Sequence, residues 1–359
     1  MGLKVPDSYQ NELLQLAQSL YQCPEPGYQE HQTVDLWRLF AYSHGLTIDY
    51  ALDGMAPIIT CGDFSQAKTR IMITADLDAV GFASDEGLRF RHLCGHHAQS
   101  VHAFGVALLF QLGLFPAGLA IKIIGCPAEE CLPACDASAP IPFVAGKQRL
   151  LKEGVFAGAT AVLSTHLSDD TKTQDITLAY GANGGIWVKF TASELGMAPS
   201  DDVVDCMIQR IMGSATISRT MFEDGGEKHV RINTQRVGNR CPPDASNLIR
   251  EFKAHGYVAH LIADYAPLFH DVRLRKMAKR TLTKHHPSVG IRDALWLPGM
   301  TDLGDVSCCF PTLQVFIGGT TGVTHEDSFS VVDPMFAYIW PIHFVSDLIC
   351  EIHQTWEEG

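Results

Sequence analysis

Cysteine, histidine and glutamate residues recur in short polar segments of this chain, and their side chains are common metal ligands. The first segment, His-Leu-Cys-Gly-His-His at 92–97, places a thiol and an imidazole on either side of a glycine, just before an apolar helical pattern. Such a loop can direct Cys94 and His96 at one metal ion. Taken alone, cysteine and histidine residues near the start of a helix have a structural role more often than they bind a metal ion.

The second segment, Gly-Cys-Pro-Ala-Glu-Glu at 125–130, closes an apolar run typical of a buried strand. Two adjacent carboxylates can divide their work, with one binding a metal ion and the other handling a proton. Two other interpretations stay open for this segment. It can be a solvated acidic turn, or Cys126, Cys131 and Cys135 can hold zinc or an iron–sulfur cluster, although their spacing fits no common cluster pattern.

Two single histidines follow other apolar runs. His166 comes directly after the run at 161–165, and His325 follows the run at 313–317 across a glycine-rich loop. Each can be a hydrogen-bonded structural histidine. An open α/β sheet, however, gathers residues that follow its strands at one edge. The five candidate metal ligands are Cys94, His96, Glu130, His166 and His325.

The elements that position these residues are predicted from hydrophobic periodicity. Helices are expected at 8–21, 33–43, 100–112, 147–153, 202–212 and 272–282. Strands are expected at 70–75, 121–126, 161–165, 186–190 and 313–317. Because strands and helices alternate, we predict an α/β fold whose mixed sheet has parallel pairs and helices on both faces.

The sequence pattern changes after Tyr180, where three glycines between 181 and 185 precede a strand-like run. This change predicts a smaller α+β unit inserted into the main domain. We expect a catalytic domain formed by 1–181 and 267–359, interrupted by a shortened lid at 182–266.

The bulk composition narrows the class of protein. With 359 residues, 46% of them hydrophobic, the chain can bury a large core. A formal charge of −13 with scattered basic residues argues against nucleic acid as a partner. The most apolar stretches are interrupted by polar residues and proline, so we expect no membrane span. The 11 irregularly spaced cysteines and the absence of a signal peptide's apolar core favour the cytoplasm.

Read together, these segments resemble the M20 metallopeptidases and amidohydrolases. The likeness is greatest to the branch that acts on N-acyl and indole-acetyl amino acids and on aminobenzoyl-glutamate. The motifs that carry it are Thr-Ala-Asp-Leu-Asp-Ala at 74–79, Leu-Cys-Gly-His at 93–96, Cys-Pro-Ala-Glu-Glu at 126–130, Thr-His at 165–166 and at 324–325, and Met-Thr-Asp-Leu-Gly-Asp-Val-Ser at 300–307.

The resemblance implies two divalent ions, Zn, Mn or Co, which share a water molecule, with Cys94 in the bridging position. It implies that Glu129 is the general base that takes the proton of this water and passes it to the leaving amine. Asp78 matches a carboxylate that orients a ligand, although capping of the turn stays an alternative. Asn239 lies in a segment that matches Asn-x-x-Pro-Asp and implies a substrate contact.

The implied reaction is hydrolysis of the amide bond in a small molecule: an N-acyl amino acid, an aminoacyl conjugate or a small peptide. The sequence departs from the family in three places. His97 stands where the family usually has Asp, 191–199 lacks the lid histidine that reaches a neighbouring subunit's site in relatives, and the lid is short after Asn239. A homodimer built through the lid is therefore the least supported expectation.

The rival interpretation is a catalytically silent, metal-binding homologue that serves as a regulatory or partner subunit. The altered lid favours this rival. Glu129 and the complete set of five ligands argue against it.

Overall fold

The computed structural model describes residues 2–84, 87–130, 144–169, 174–191, 198–213, 216–224, 227–234 and 245–356. Its first elements are α1 (Asp7–Tyr21), α2 (His31–Ser43), β1 (Thr47–Ala51), a 3₁₀ turn (Leu52–Gly54), β2 (Ala56–Cys61), β3 (Thr69–Asp76), β4 (Val80–Ser84), β5 (Gly87–Arg91), α3 (His96–Gln111), β6 (Leu119–Cys126), α4 (Gly146–Lys152), β7 (Ala161–Leu167) and β8 (Asp175–Ala179).

The chain then continues with β9 (Gly181–Thr191), α5 (Asp201–Ile211), β10 (Thr216–Asp224), β11 (Glu227–Thr234), α6 (Ala245–Ala254), β12 (Val258–Tyr265) and β13 (Leu268–Phe269). The last elements are α7 (Val272–His285), β14 (Gly290–Ala294), β15 (Leu297–Met300), α8 (Leu303–Ser307), β16 (Thr312–Ile317), β17 (Thr320–Thr321), β18 (Ser330–Val331), a π-helical segment (Met335–Ile339) and α9 (Trp340–Thr355).

The larger sheet has eight strands in the order β1-β2-β6-β3-β7-β16-β8-β14. Its four central strands, β6, β3, β7 and β16, run parallel to one another. Side chains alternate between the two faces of a strand, and both faces are buried here. In β3, Ile71 and Ile73 join the core that contains α1, α3, α7 and α9, whereas Met72 joins the core that contains α4 and α8. The predicted α/β fold is confirmed.

The second sheet has six strands and is built around β9, which pairs with β11, β12, β13 and β15. Helices α5 and α6 pack on one face of this sheet and form a separate core with residues such as Phe190 and Phe252. Strands β13 and β15 lie outside the range predicted for the lid, yet they pair with the start of β9.

One boundary in the second sheet differs from the prediction. The glycines between 181 and 185 were expected to precede the strand, but they form the first half of β9. A Cβ atom on Gly181 would come within 2.2 Å of the carbonyl oxygen of Leu268, and one on Gly184 would come within 2.5 Å of that of Tyr265. Glycine therefore permits the close approach of neighbouring backbones and does not mark a loop.

The stretch Met335–Thr355 is long and apolar enough to cross a membrane by length and composition, and 67% of its most apolar window is buried inside the protein. It packs against α3 and α7 as part of the main core. Burial of this kind is typical of a core helix, and the absence of a membrane span stays a prediction.

Candidate active site

The candidate ligands come from the ends of the parallel strands. Glu130 follows β6, and His166 lies near the end of β7. Cys94 and His96 stand at the start of α3, and His325 follows β17 in the loop before β18. Because β6, β7 and β16 run in the same direction, the segments that follow them meet at one edge of the sheet. The structure brings all five residues together there.

Cys94 lies at the centre of the cluster. Its Sγ is 3.1 Å from Nε2 of His166 and 3.2 Å from Nε2 of His325. The same nitrogen of His325 is 3.2 Å from Oε1 of Glu130, and that oxygen is 3.9 Å from Nε2 of His96. Sulfur, nitrogen and oxygen donors therefore converge on one small volume.

The donors fall into two groups of three that share Cys94. One group is Cys94, His96 and His166, and the other is Cys94, Glu130 and His325; the donor atoms within each group lie within 4.8 Å of one another. A third group adds Glu129 to His96 and Glu130. Overlapping groups with one shared sulfur suit two adjacent ions better than one.

The histidines of the cluster present defined ring nitrogens. Nδ1 of His96 lies 3.0 Å from the backbone oxygen of Asp78, and Nδ1 of His166 lies 2.6 Å from that of Leu167. A carbonyl oxygen can only accept, so each Nδ1 carries the proton. Nε2 of each ring therefore faces the cluster, and it is the nitrogen through which the neutral imidazole can bind a metal ion.

The electrostatics of the cluster favour the ionised forms of the Cys94 thiol and the Glu130 carboxyl group. Burial alone would raise the pKa of the Cys94 thiol, but His166 and the other nearby imidazoles lower it to about 5. Burial also opposes ionisation of Glu130, yet the attraction of His325 lowers its pKa to about 2. In turn Glu130 is the main reason that the pKa of His325 rises to about 12. A buried thiolate and carboxylate among imidazoles form a donor set that fits divalent ions such as zinc.

Three side chains hold the backbone of the turn that carries the two glutamates. Ala128 has a positive φ of 54°, an uncommon conformation for a residue with a side chain. Its N–H donates to Oε1 of Glu30 at 2.8 Å. The hydroxyl of Tyr265 donates to the backbone oxygen of Glu129 at 2.8 Å, and the N–H of Glu130 donates to Oδ2 of Asp78 at 2.8 Å. These contacts fix the direction of both carboxylates.

Glu129 is buried beside the cluster, and its Oε2 lies 3.7 Å from Nε2 of His96. Burial is the main cause that raises its pKa well above the usual value, and the carboxylates of Asp76 and Glu130 raise it further. A carboxylate held in such surroundings is a stronger base than one in water.

Backbone conformation helps to form the cysteine loop. Gly95 has a φ of 91°, and a Cβ atom at this position would lie 2.8 Å from the side chain of Leu167. Glycine is therefore required between Cys94 and His96. His325 also has a positive φ, 68°, although it is not a glycine. Strained residues of this kind cluster at functional sites.

A buried ion-pair network lies behind the turn and was not predicted. The ammonium group of Lys147 is fully buried between the carboxylates of Asp76 and Asp302, and the backbone N–H of Lys147 also donates to Asp302 at 2.9 Å. These contacts tie α4 to β3 and α8. The local sequence does not mark Lys147 as part of this network, because its partners are 71 and 155 residues away.

The cluster opens into a cleft of about 760 Å³ between the two sheets. The side that carries the cluster supplies Cys94, Glu129 and Glu130, and the second sheet supplies Trp187 and Arg231. The Arg231 guanidinium lies over the Trp187 ring at 4.2 Å from its centroid. The sequence did not reveal this pair. Arg231 can be identified as a cleft residue only once β11 is placed in the sheet, because it lies on the face opposite the core formed with α5 and α6.

Some predicted residues lie outside the described part of the chain. Asn239 is one of them, and so are Cys131, Cys135 and residues 192–197 of the lid segment. Cys126 is fully buried, and burial raises the pKa of its thiol well above the usual value, so it behaves as an inert core residue. Nε2 of His97 lies 3.0 Å from the hydroxyl of Tyr338, and the side chain lines a second cavity away from the cluster.

Comparison with solved structures defines the class of fold. A dinuclear metal binding peptidase of the M20 family from Bacillus subtilis matches with a TM-score of 0.69 and 18% identity, over 98% of this chain and 100% of that one. An aminobenzoyl-glutamate utilization protein from Klebsiella pneumoniae matches with a TM-score of 0.59 and 10% identity, over 96% of each chain. The protein thus has the fold of the M20 dinuclear metal peptidases, and the resemblance predicted from the motifs is confirmed at this level.

Sequence comparison is more limited. An N-acetylcysteine deacetylase from Bacillus subtilis (strain 168) is 25% identical over 186 residues. This match covers 48% of the chain and 44% of the relative, so the chain matches less than half the length of that enzyme. No protein-family model matches the chain.

Proposed function

We propose that this protein is a dinuclear metal-dependent amidohydrolase that cleaves the amide bond of an N-acyl amino acid, an aminoacyl conjugate or a small peptide. One observation carries the proposal: two groups of donors at the cleft share Cys94, and the carboxylate of Glu129, which belongs to neither group, lies beside them. The M20 fold and the names of the structural neighbours support this reaction class.

In this proposal Cys94, His96 and His166 hold one ion, and Cys94, Glu130 and His325 hold the other. Two bound divalent ions would supply Lewis acidity at the amide carbonyl and stabilise the negative charge of the transition state. Zinc, manganese and cobalt all suit the mixed sulfur, nitrogen and oxygen donors. Asp78 contacts the backbone of Glu130 and the ring of His96, and we assign it the role of orienting these two ligands.

Glu129 is the proposed general base. Its carboxylate removes a proton from the water that attacks the amide carbonyl, and it then gives that proton to the leaving amine. The raised pKa favours both steps, because it makes the ionised form a better base and keeps the protonated form available as an acid. The contacts of Glu30 and Tyr265 with the turn hold this carboxylate in place while the proton moves.

The cleft suits a substrate that carries a carboxylate. Arg231 supplies a cation at the wall opposite the cluster, and its stacking on Trp187 keeps the guanidinium plane in a defined orientation. Leu297 and Met300 add apolar surface to the same cleft. An N-acyl amino acid has both features, since it combines a carboxylate with an amide and an apolar group. The proposal includes a cytoplasmic location and a homodimer.

The test is a hydrolysis screen of N-acyl amino acids and dipeptides with Zn, Mn or Co added separately, on wild type and two glutamine variants. Glu129→Gln should lower kcat by about 10²-fold or more and keep its metal content. Glu130→Gln should lose metal. Glu153→Gln, at an exposed position on the C-terminal cap of α4, is the matched control and should behave as wild type.

Three outcomes would count against the proposal. Full activity in Glu129→Gln would show that Glu129 is not the general base. Metal loss in Glu129→Gln but not in Glu130→Gln would reverse the two roles. A wild-type protein that binds metal and is inert on every substrate would favour the silent-homologue interpretation.

A further inference from the structure

A second cavity of about 410 Å³ lies on the other side of the α3 start from the metal cluster. His96 faces the cluster, and the next residue, His97, lines this cavity. The other walls come from α1, from β18 and from the π-helical segment Met335–Ile339. The cavity shares no lining residue with the catalytic cleft. Its volume falls within the range of small-molecule sites.

Among the residues that the structure describes, those that line this cavity include no Asp, Glu, Lys or Arg. This is notable in a protein with a formal net charge of −13. Aromatic rings form part of the walls: the ring of His97 lies edge-on to that of Tyr21 at a centroid distance of 5.1 Å and to that of Tyr338 at 5.7 Å. Leu14 and Phe329 add aliphatic and aromatic surface. Such walls favour an uncharged, flat, apolar occupant.

The polar pair at the cavity, His97 and Tyr338, leaves a hydrogen-bond donor unused. Nε2 of His97 lies 3.0 Å from the hydroxyl of Tyr338. Nδ1 of His97 is buried and has no hydrogen-bond partner among the described residues. A buried N–H without an acceptor is costly, so the proton belongs on Nε2 and is donated to the oxygen of Tyr338. The phenolic hydrogen of Tyr338 is then left for a ligand in the cavity.

The segment that presents Tyr338 gives independent support. Residues Met335–Ile339 form a π-helical turn directly before α9. Such turns are rare and occur often at functional sites, because they rotate side chains out of the regular helical register. The turn is held by a contact of 2.7 Å between Nε2 of His102 and the backbone oxygen of Ala337, where the ring nitrogen is the donor.

We propose that this cavity is a binding site for a small, uncharged molecule with a flat apolar body and one hydrogen-bond acceptor, which takes its hydrogen bond from Tyr338. The site is separate from the cleft, so its existence does not depend on the proposed hydrolase activity. Because the ligand would contact the residue that follows His96, it would touch the same loop that carries two of the cluster donors.

The experiment uses acetophenone as the probe, because it is neutral and flat, has one carbonyl oxygen and contains no amide to hydrolyse. Ethylbenzene lacks the acceptor, and benzoate adds a negative charge. Binding to the full chain is measured by ligand-observed NMR titration. We expect acetophenone to bind at one site with a Kd on the order of 1 mM or tighter. Ethylbenzene should bind about 3- to 10-fold more weakly, since one hydrogen bond is missing, and benzoate at least about 10-fold more weakly.

Two variants locate the binding. Ala17→Leu adds volume on the α1 wall and should weaken acetophenone binding by about 10-fold or more. Tyr338→Phe removes only the hydroxyl and should make acetophenone and ethylbenzene bind equally. Arg231→Gln, in the catalytic cleft, should leave acetophenone binding unchanged. Circular dichroism melting confirms that each variant is folded.

Absence of acetophenone binding in wild type would overturn the proposal. So would benzoate binding as tightly as acetophenone, or acetophenone binding that is unaffected by Tyr338→Phe. If Ala17→Leu does not fold, binding of acetophenone, ethylbenzene and benzoate to wild type and to Tyr338→Phe tests the proposed site.

Discussion

Tyr265→Phe removes one hydroxyl group from the side chain that joins the second sheet to the turn of the proposed base. The Tyr265 side chain is 3% exposed and donates to the backbone oxygen of Glu129 at 2.8 Å. Loss of one partner from a buried hydrogen bond costs about 1–3 kcal/mol. If the loss displaces Glu129 and raises the transition-state barrier by this amount, kcat should fall by about 5- to 150-fold.

The metal content of Tyr265→Phe should stay at the wild-type level, because the N–H of Glu130 keeps its contact with Asp78. KM should change little, since the hydroxyl is committed to the backbone. The assay is steady-state hydrolysis of the best substrate from the screen, with metal analysis of the same samples. Tyr50→Phe is the control, because Tyr50 is an exposed tyrosine on the edge strand β1. A wild-type kcat in Tyr265→Phe, with only a lower melting temperature, would refute the proposed positioning of the base.

Three further variants test other parts of the structure. Arg231→Gln should raise KM for an N-acetyl amino acid by about 10- to 100-fold and leave KM for the matching amino acid amide unchanged, because a charge-assisted contact to the carboxylate is lost. Lys147→Met should lower the free energy of unfolding by about 3–5 kcal/mol in urea titrations, because Asp76 and Asp302 are left buried without a cation. His102→Gln should flatten the pH dependence of stability: burial lowers the His102 pKa from 6.5 to about 4, so the folded state binds fewer protons than the unfolded state in this window, and wild type loses about 3 kcal/mol as pH falls from 6.5 to 4.

Each of these expectations has an outcome that would contradict it. Equal KM changes for the acid and the amide would mean that Arg231 does not recognise the carboxylate. Unchanged stability of Lys147→Met would mean that the buried ion pairs contribute nothing beyond packing. A His102→Gln protein that loses stability with acid as steeply as wild type would assign the loss to other groups.

The common location of the candidate ligands was predictable, because each stands in a short motif next to a strand or helix end. Alternation of strands and helices implied a sheet with parallel pairs, and the ends of parallel strands meet at one edge. Cys94, Glu130 and His166 could therefore be assigned to one place before any contact was known. The resemblance to a known family then gave each of them a role.

The supporting contacts could not be predicted in this way. Glu30 and Ala128 are 98 residues apart, and Tyr265 and Glu129 are 136 residues apart. No local pattern distinguishes a glutamate that accepts from a distant backbone N–H from one on a solvated surface. Arg231 was missed for the same reason, since its role depends on which face of the second sheet meets the cleft.

Metal stoichiometry is the most direct test of the central claim, that two ions share the cluster around Cys94. Protein purified without chelators and incubated with Zn or Mn should contain two ions per chain by inductively coupled plasma mass spectrometry after desalting. Cys94→Ala should reduce the count of both ions, because its sulfur belongs to both groups of donors. One ion per chain in wild type, or two ions retained in Cys94→Ala, would contradict a shared dinuclear centre, and a count that stays at zero would contradict the metal-dependent mechanism altogether.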